Sequence, residues 1–209
     1  LASYALSSAT GFNGIVNKDN WFESFGPLGA DRRHILSVSG VIQLPRRFQA
    51  SFISTISSKG PFSATISAVD FNGDGTNGDV LPGSRVNQLN RGLGRGDLER
   101  LVADLNRSLA GKTTLRGQVI PQITLPSSYQ FGDARFSQDL RLSRTFKVQD
   151  WCEMVVLGEV FNLFNVANLA GYSGNLRETA GFGQPTSRVQ QVFGSGGPRA
   201  FQLGARFSF

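Results

Sequence analysis

Cysteine is almost missing from these 209 residues, with Cys152 standing alone. A single thiol excludes an internal disulfide framework and a cysteine-built zinc site, since each needs at least two. Cys152 therefore reads as a buried or lipid-facing side chain. The only histidine, His34, sits beside a strand start with no nucleophile placed for it, and reads as a rim residue, not a triad member. No apolar run approaches the roughly 18 residues of a spanning helix, and no charged-then-apolar signal segment opens the chain. A helical membrane protein is excluded; a membrane β-barrel is not, because its strands carry a much weaker hydropathy signal. Charge is thin as well, at 17%. The net charge of +6 and the pI near 10.1 come from basic residues scattered singly or in pairs (Arg32 with Arg33, Arg46 with Arg47), so no nucleic-acid partner is expected. The lone methionine, Met154, is internal, which points to a piece of something larger.

What the chain does have is glycine (25), phenylalanine (17) and period-two alternation, the mark of strands with one apolar and one polar face. In "RAFQLGARFSF", Phe201, Leu203, Ala205, Phe207 and Phe209 share a face opposite Gln202, Gly204, Arg206 and Ser208. In "FSQDLRLSRTF", Phe136, Leu140, Leu142 and Phe146 oppose Ser137, Asp139, Arg141, Ser143 and Thr145, while Arg144 breaks the pattern. "ILSVSGVIQL", "FQASFISTIS" and "CEMVVLGEVFN" alternate likewise, and a weaker strand opens the chain around Ala2, Tyr4 and Leu6. Six strands are expected, over about 1–8, 35–44, 47–58, 135–146, 152–162 and 199–209.

The links alternate in length. Those at 45–47 and 148–151 are tight, whereas 9–33, 59–133 and 163–198 are long and rich in Gly, Asn and Pro. Short turns on one rim and long loops on the other are the layout of an outer-membrane barrel, and ten-residue strands suit a tilted crossing of the hydrocarbon. A soluble β-sandwich is the competing reading. It usually shows turn signals every 8–12 residues, and a single connection of more than 70 residues counts against it. Within that connection, "GDLERLVADLNRSLAG" spaces Leu98, Leu101, Val102, Leu105 and Leu109 at helical intervals, which predicts a helix over 97–110 with Asp97 as its cap and a stripe that packs within the loop.

"SAVDFNGDGTNGDVLPG" offers the one candidate metal site. Asp70, Asn72 and Asp74 occupy alternate positions of a D-x-N-x-D-G pattern, Thr76 would supply its carbonyl, and Asp79 would stand in for the closing Glu, whose position holds Leu81. Such oxygens can wrap a hard cation such as calcium. The same residues also stabilise turns through their own side chains. Both readings remain open, and either way the loop reads as an extracellular tip with no catalysis attached. "GLGRG" at 92–96 has neither phosphate-cradle spacing, and Ser195 in "FGSGG" does not fit a nucleophile elbow. Glu153 and Glu159 share a face about 20 Å apart at the usual strand rise, too far for paired catalytic carboxylates. They read as lumen residues facing Arg141, Arg144 or Arg206. No enzyme is expected.

The runs "DRRHILSVSGVIQLP", "QDLRLSRTF", "GEVFNLFNVANLAGYSGNL" and "FGQPTSRVQQVFGSGGPRAFQLGARFSF", with "DFNGDGTNGDVLPG" and "NRGLGRGDL" between them, resemble the C-terminal barrel portion of TonB-dependent outer-membrane receptors. The likeness is to the group whose chains begin with a carboxypeptidase-regulatory-like domain. It implies an all-β antiparallel barrel segment, about six strands of a barrel of about 22, in the cell outer membrane. It also implies nutrient uptake driven through TonB, with a plug and the earlier barrel strands as partners. Outer-membrane lipid and lipopolysaccharide would surround the wall, and the barrel-assembly machinery would read the terminal Phe209. Neither plug nor TonB-binding segment is present in the 209 residues. An alternative is a structural fragment that associates with itself through open strand edges.

Overall fold

The computed structural model describes residues 1–149, 151–190 and 196–209. The alternating segments become one six-stranded antiparallel sheet. Its members are β1 (Ala2–Leu6), β4 (His34–Leu44), β5 (Phe48–Ser57), β8 (Arg135–Gln149), β9 (Cys152–Phe161) and β12 (Ala200–Ser208), hydrogen-bonded in that order. Three two-stranded ladders lie between them. β2 (Thr10–Phe12) pairs with β3 (Phe25–Pro27), β6 (Thr65–Ile66) with β7 (Asp79–Val80), and β10 (Leu169–Tyr172) with β11 (Pro185–Arg188). Among the described residues there is one α-helix, α1 (Arg95–Ser108), and two short 3-10 turns at Trp21–Ser24 and Pro45–Arg47. The large sheet is an up-and-down meander, and among the described residues it is not closed: β1 and β12 each pair on one side alone.

Register makes the alternation of each strand coincide with that of its neighbours. Tyr4 faces Leu36, Leu36 faces Ile56, and Ile56 faces Phe136. Further down, Ala50 faces Leu142, Leu142 faces Gly158, and Gly158 faces Leu203. One side of the sheet is thus apolar across all six strands and open: Leu142, Ile42, Phe201 and Leu203 are all exposed. Gly40 falls on this side, where its register partner Phe52 covers it, so closely that a Cβ on Gly40 would meet the ring at 2.7 Å. The opposite side carries Ser37, Gln43, Ser51, Ser143 and Glu159. A soluble sandwich would bury its apolar side against a second sheet; among the described residues no second sheet covers this one.

Element ends differ from the sequence expectation where hydrogen bonding outruns the hydrophobic pattern. β8 runs on to Gln149 because Lys147 and Gln149 keep pairing with Glu153 and Cys152 across a register shift, and Asp150 lies outside the described residues. The helix starts two residues early, with Gly94 at the N-cap. Asp97 still serves it, from the third helical position, by accepting the Gly94 amide. Its stripe packs inward as expected, with Leu98, Val102 and Leu105 buried.

The larger departure concerns the connection 59–133. It is no open loop. The main hydrophobic core of the molecule lies here, around Phe62, Ile66, Leu81, Leu98 and Phe131, with Leu176 and Phe182 contributed by the connection 163–198. The second connection is strapped on by main-chain bonds, Thr65 N–H to the Gly174 carbonyl and Leu176 N–H to the Thr65 carbonyl. A folded cap therefore stands over the long-loop rim. The wall contributes almost nothing to that core, because its apolar side turns outward.

Candidate functional site

The Asp/Asn loop is brought together by the fold, but its oxygens turn toward the protein's own donors. Asp70 accepts the amides of Gly73 (2.6 Å) and Gly75 (2.9 Å) and an ion pair from Arg116 Nε (2.8 Å). Asp74 accepts the Thr76 amide and hydroxyl, both at 2.6 Å, and the Lys18 amide at 2.6 Å. Asp79 accepts the Phe71 amide at 2.7 Å and Asn72 accepts the Asp74 amide at 3.0 Å. Gly73, Gly75 and Gly78 adopt positive φ, which lets these amides converge. Burial pushes the Asp79 carboxyl above its ordinary range against the pull of the Phe71 and Asn72 amides. On Asp74 the Thr76 hydroxyl and the Lys18 amide hold the carboxyl below that range. Among the described residues no three His, Cys, Asp or Glu side chains are grouped to hold a metal ion. Nor is the loop a free tip: Asn72 reaches the Val16 carbonyl and Arg116 ties the loop to the strip after the helix.

On the polar side of the wall, Glu159 faces Arg141 directly, at 3.7 Å. Glu153 faces Lys147 and Ser208. Arg144 is not their partner. Register places it on the apolar side opposite Phe48 and Val156, with its guanidinium over the rings of Phe48 (4.8 Å) and Phe146 (4.6 Å). His34 begins β4 at the rim, exposed, and its Nδ1 is 2.7 Å from the Tyr4 hydroxyl. Phe209 is exposed and stacks on Trp151. Ser195 lies outside the described residues.

Two features escaped the sequence reading. The first is the run Asn162, Asn165, Asn168, all three at positive φ, which asparagine tolerates. Asn162 donates to the carbonyls of Val166 (2.9 Å) and Gly197 (2.6 Å); Asn168 donates to those of Phe136 (2.8 Å) and Gly196 (2.7 Å) and accepts the Phe136 amide. These side chains replace a sheet ladder, pinning the exit of β9 to the start of β8 and to the approach of β12. A three-residue asparagine period was the available signal.

The second is a cavity of about 430 Å³ between cap and wall, reached by Arg32, Phe62, Phe131, Asp133, Arg135 and Tyr172. A smaller space of about 240 Å³ is lined by Arg32, Ile35, Ser57 and Arg135, so the two share both arginines. Ile35, Ser57 and Arg135 are register neighbours on the polar side of the wall. Beside the cavity, a buried ion pair holds the cap down. Arg91 Nε bonds Asp31, and its Nη2 bonds the carbonyls of Asp31 (2.8 Å) and Lys59 (3.1 Å). Burial raises the Asp31 carboxyl, yet the Arg91 bond, the Ala9 amide and the Arg91 and Arg33 charges together bring it below its ordinary range.

A sheet that is apolar on one side, polar on the other and capped on one rim has the pattern of an outer-membrane β-barrel wall. The family comparison agrees: the model of the "Outer membrane beta barrel domain" family matches residues 2–202, and the chain belongs to that family. Its place is accordingly the outer membrane. Comparison with curated proteins and with solved structures gives no match.

Proposed function

We propose that the chain is the C-terminal wall of a TonB-dependent receptor and takes part in carrying a nutrient across the outer membrane. The observation that supports this is the open sheet: six strands with free edges at β1 and β12 fall short of the eight of the smallest single-chain barrels. A receptor of about 22 strands provides the remainder. In this reading the apolar side meets lipid and lipopolysaccharide. The folded cap lies outside the cell, and a plug from the same receptor fills the lumen and meets TonB. The chain supplies wall, lumen surface and outer loops, with no catalytic step.

The same free edges favour a second reading, a scaffold in which identical copies pair edge to edge. One experiment separates them. In cells carrying the complete gene, uptake of a panel of labelled nutrients is measured with and without TonB, and cysteines at Tyr4 and Phe201, which share the apolar side on the two edge strands, are tested for disulfide cross-links on a Cys152→Ala background. TonB-dependent uptake without cross-linked multimers supports the receptor. Cross-linked multimers without uptake support the scaffold.

A further inference from the structure

We infer that the cavity between cap and wall binds the oxyanion of a small solute, a carboxylate or a phosphate, between the guanidinium groups of Arg32 and Arg135; the inference rests on the uptake reading. Both arginines line both spaces. Neither forms an ion pair among the described residues, in contrast to Arg91 beside them, whose guanidinium is fully engaged by Asp31 and by carbonyls. Arg32 makes one hydrogen bond, from Nη1 to the Ser58 carbonyl at 3.2 Å. The Nε of Arg135 is buried without a partner. A buried guanidinium N–H left unpaired is costly, and two arginines lining one space raise that cost by mutual repulsion. Burial and then the charges of Arg135 and Arg91 press Arg32 below its ordinary pKa, with Asp31 opposing.

An anion seated between them removes both penalties, and a planar guanidinium fork suits carboxylate and phosphate oxygens. Among the described residues Asp133 is the one carboxylate lining the cavity, and it is anchored by the Leu169 amide at 3.2 Å. Burial and the charge of Asp133 raise the Tyr172 phenol, which keeps it a protonated donor facing the same space. At about 430 Å³ the cavity has the volume of a small-molecule site.

The test is calorimetric titration of the complete, detergent-purified receptor at low salt with succinate, inorganic phosphate and glucose. Binding of succinate or phosphate, whichever the cavity prefers, with no heat from glucose is the expected result. Arg135→Gln is expected to weaken that binding roughly tenfold to a hundredfold, as for a lost charged hydrogen bond, while Arg135→Lys retains part of it. Arg107→Gln, the same charge change on the exposed face of α1, leaves it intact. Equal binding by wild type and Arg135→Gln overturns the inference. So does an absence of anion binding in the complete receptor that appears only once the plug is deleted, because the arginines would then answer carboxylates of the plug. Arg135-dependent binding without TonB-dependent uptake retains the site and removes the transport reading; uptake without anion binding does the reverse.

Discussion

At the residue scale, single side chains hold the cap to the wall. Arg91 and Asp31 are almost wholly buried, at 5% and 1% side-chain exposure. Arg91→Ala strands a buried carboxylate and is expected to cost about 3–5 kcal/mol, read as earlier protease cleavage in 59–133. The pair also sets a pH dependence. The folded Asp31 carboxyl lies below its ordinary value, so its stabilisation is complete above that value and fades as pH falls through the lowered one. Asp79 has the opposite sign: its raised carboxyl favours the folded cap at low pH and loses that contribution as pH rises through the folded value. Asp31→Asn is therefore expected to flatten the acid limb of cap stability, followed by proteolysis across pH. The Asp70, Asp74 and Asp79 oxygens already hold backbone amides, so adding a calcium chelator is expected to leave the melting temperature unchanged; a clear drop would show that an ion completes the loop. Asn168→Ala leaves buried partners unmade at roughly 1–3 kcal/mol each, measurable as a lower temperature for loss of the compact barrel band in electrophoresis. The turn bonds of the Asp70–Asp79 loop are local and were legible in the sequence, but the Asp31–Arg91 pair was not, because its members are 60 residues apart and a lone Asp carries no sign of what it will meet.

At the element scale, the strands were legible and the cap was not, for one physical reason. Alternation is local: Phe201, Leu203 and Ala205 announce their face within five residues, and register with Val160, Gly158 and Val156 follows from matching faces. The cap's core joins residues from Phe62 to Phe182 and shows no single period; only α1 within it repeats regularly enough to be seen. Arg135 shares the parity of Ser137 and Asp139 and so belongs to the polar side by pattern alone, yet its cavity exists only once three connections fold over it. Arg144 is the converse, a charge whose parity puts it on the apolar side, where Phe48 and Phe146 shelter it. The two faces make unequal demands. Leu142→Arg, at mid-strand on the apolar side, is expected to cost about 2–4 kcal/mol in the membrane, whereas Gln43→Arg on the polar side is expected to cost little. Chemical unfolding of the protein in vesicles measures the difference.

At the scale of the whole molecule, the chain divides its hydrophobic residues between two uses. The cap buries Phe62, Ile66, Leu98 and Phe182 against one another, while the wall displays Ile42, Leu142, Phe201 and Leu203 outward. That division explains why an average composition hides a membrane protein: part of the apolar signal is an ordinary core, and the rest is spread one residue in two along the strands. The central claim is that the displayed side lies in lipid and the opposite side in water. Spin labels placed singly on a Cys152→Ala background at Ala50, Ser51, Leu142, Ser143, Gln202 and Leu203, in the complete protein in vesicles, test it directly. The account predicts alternation, with Ala50, Leu142 and Leu203 accessible to oxygen but not to an aqueous nickel chelate, and with Ser51, Ser143 and Gln202 lacking that lipid signature. Aqueous access on both sides of the sheet, without alternation, would contradict it.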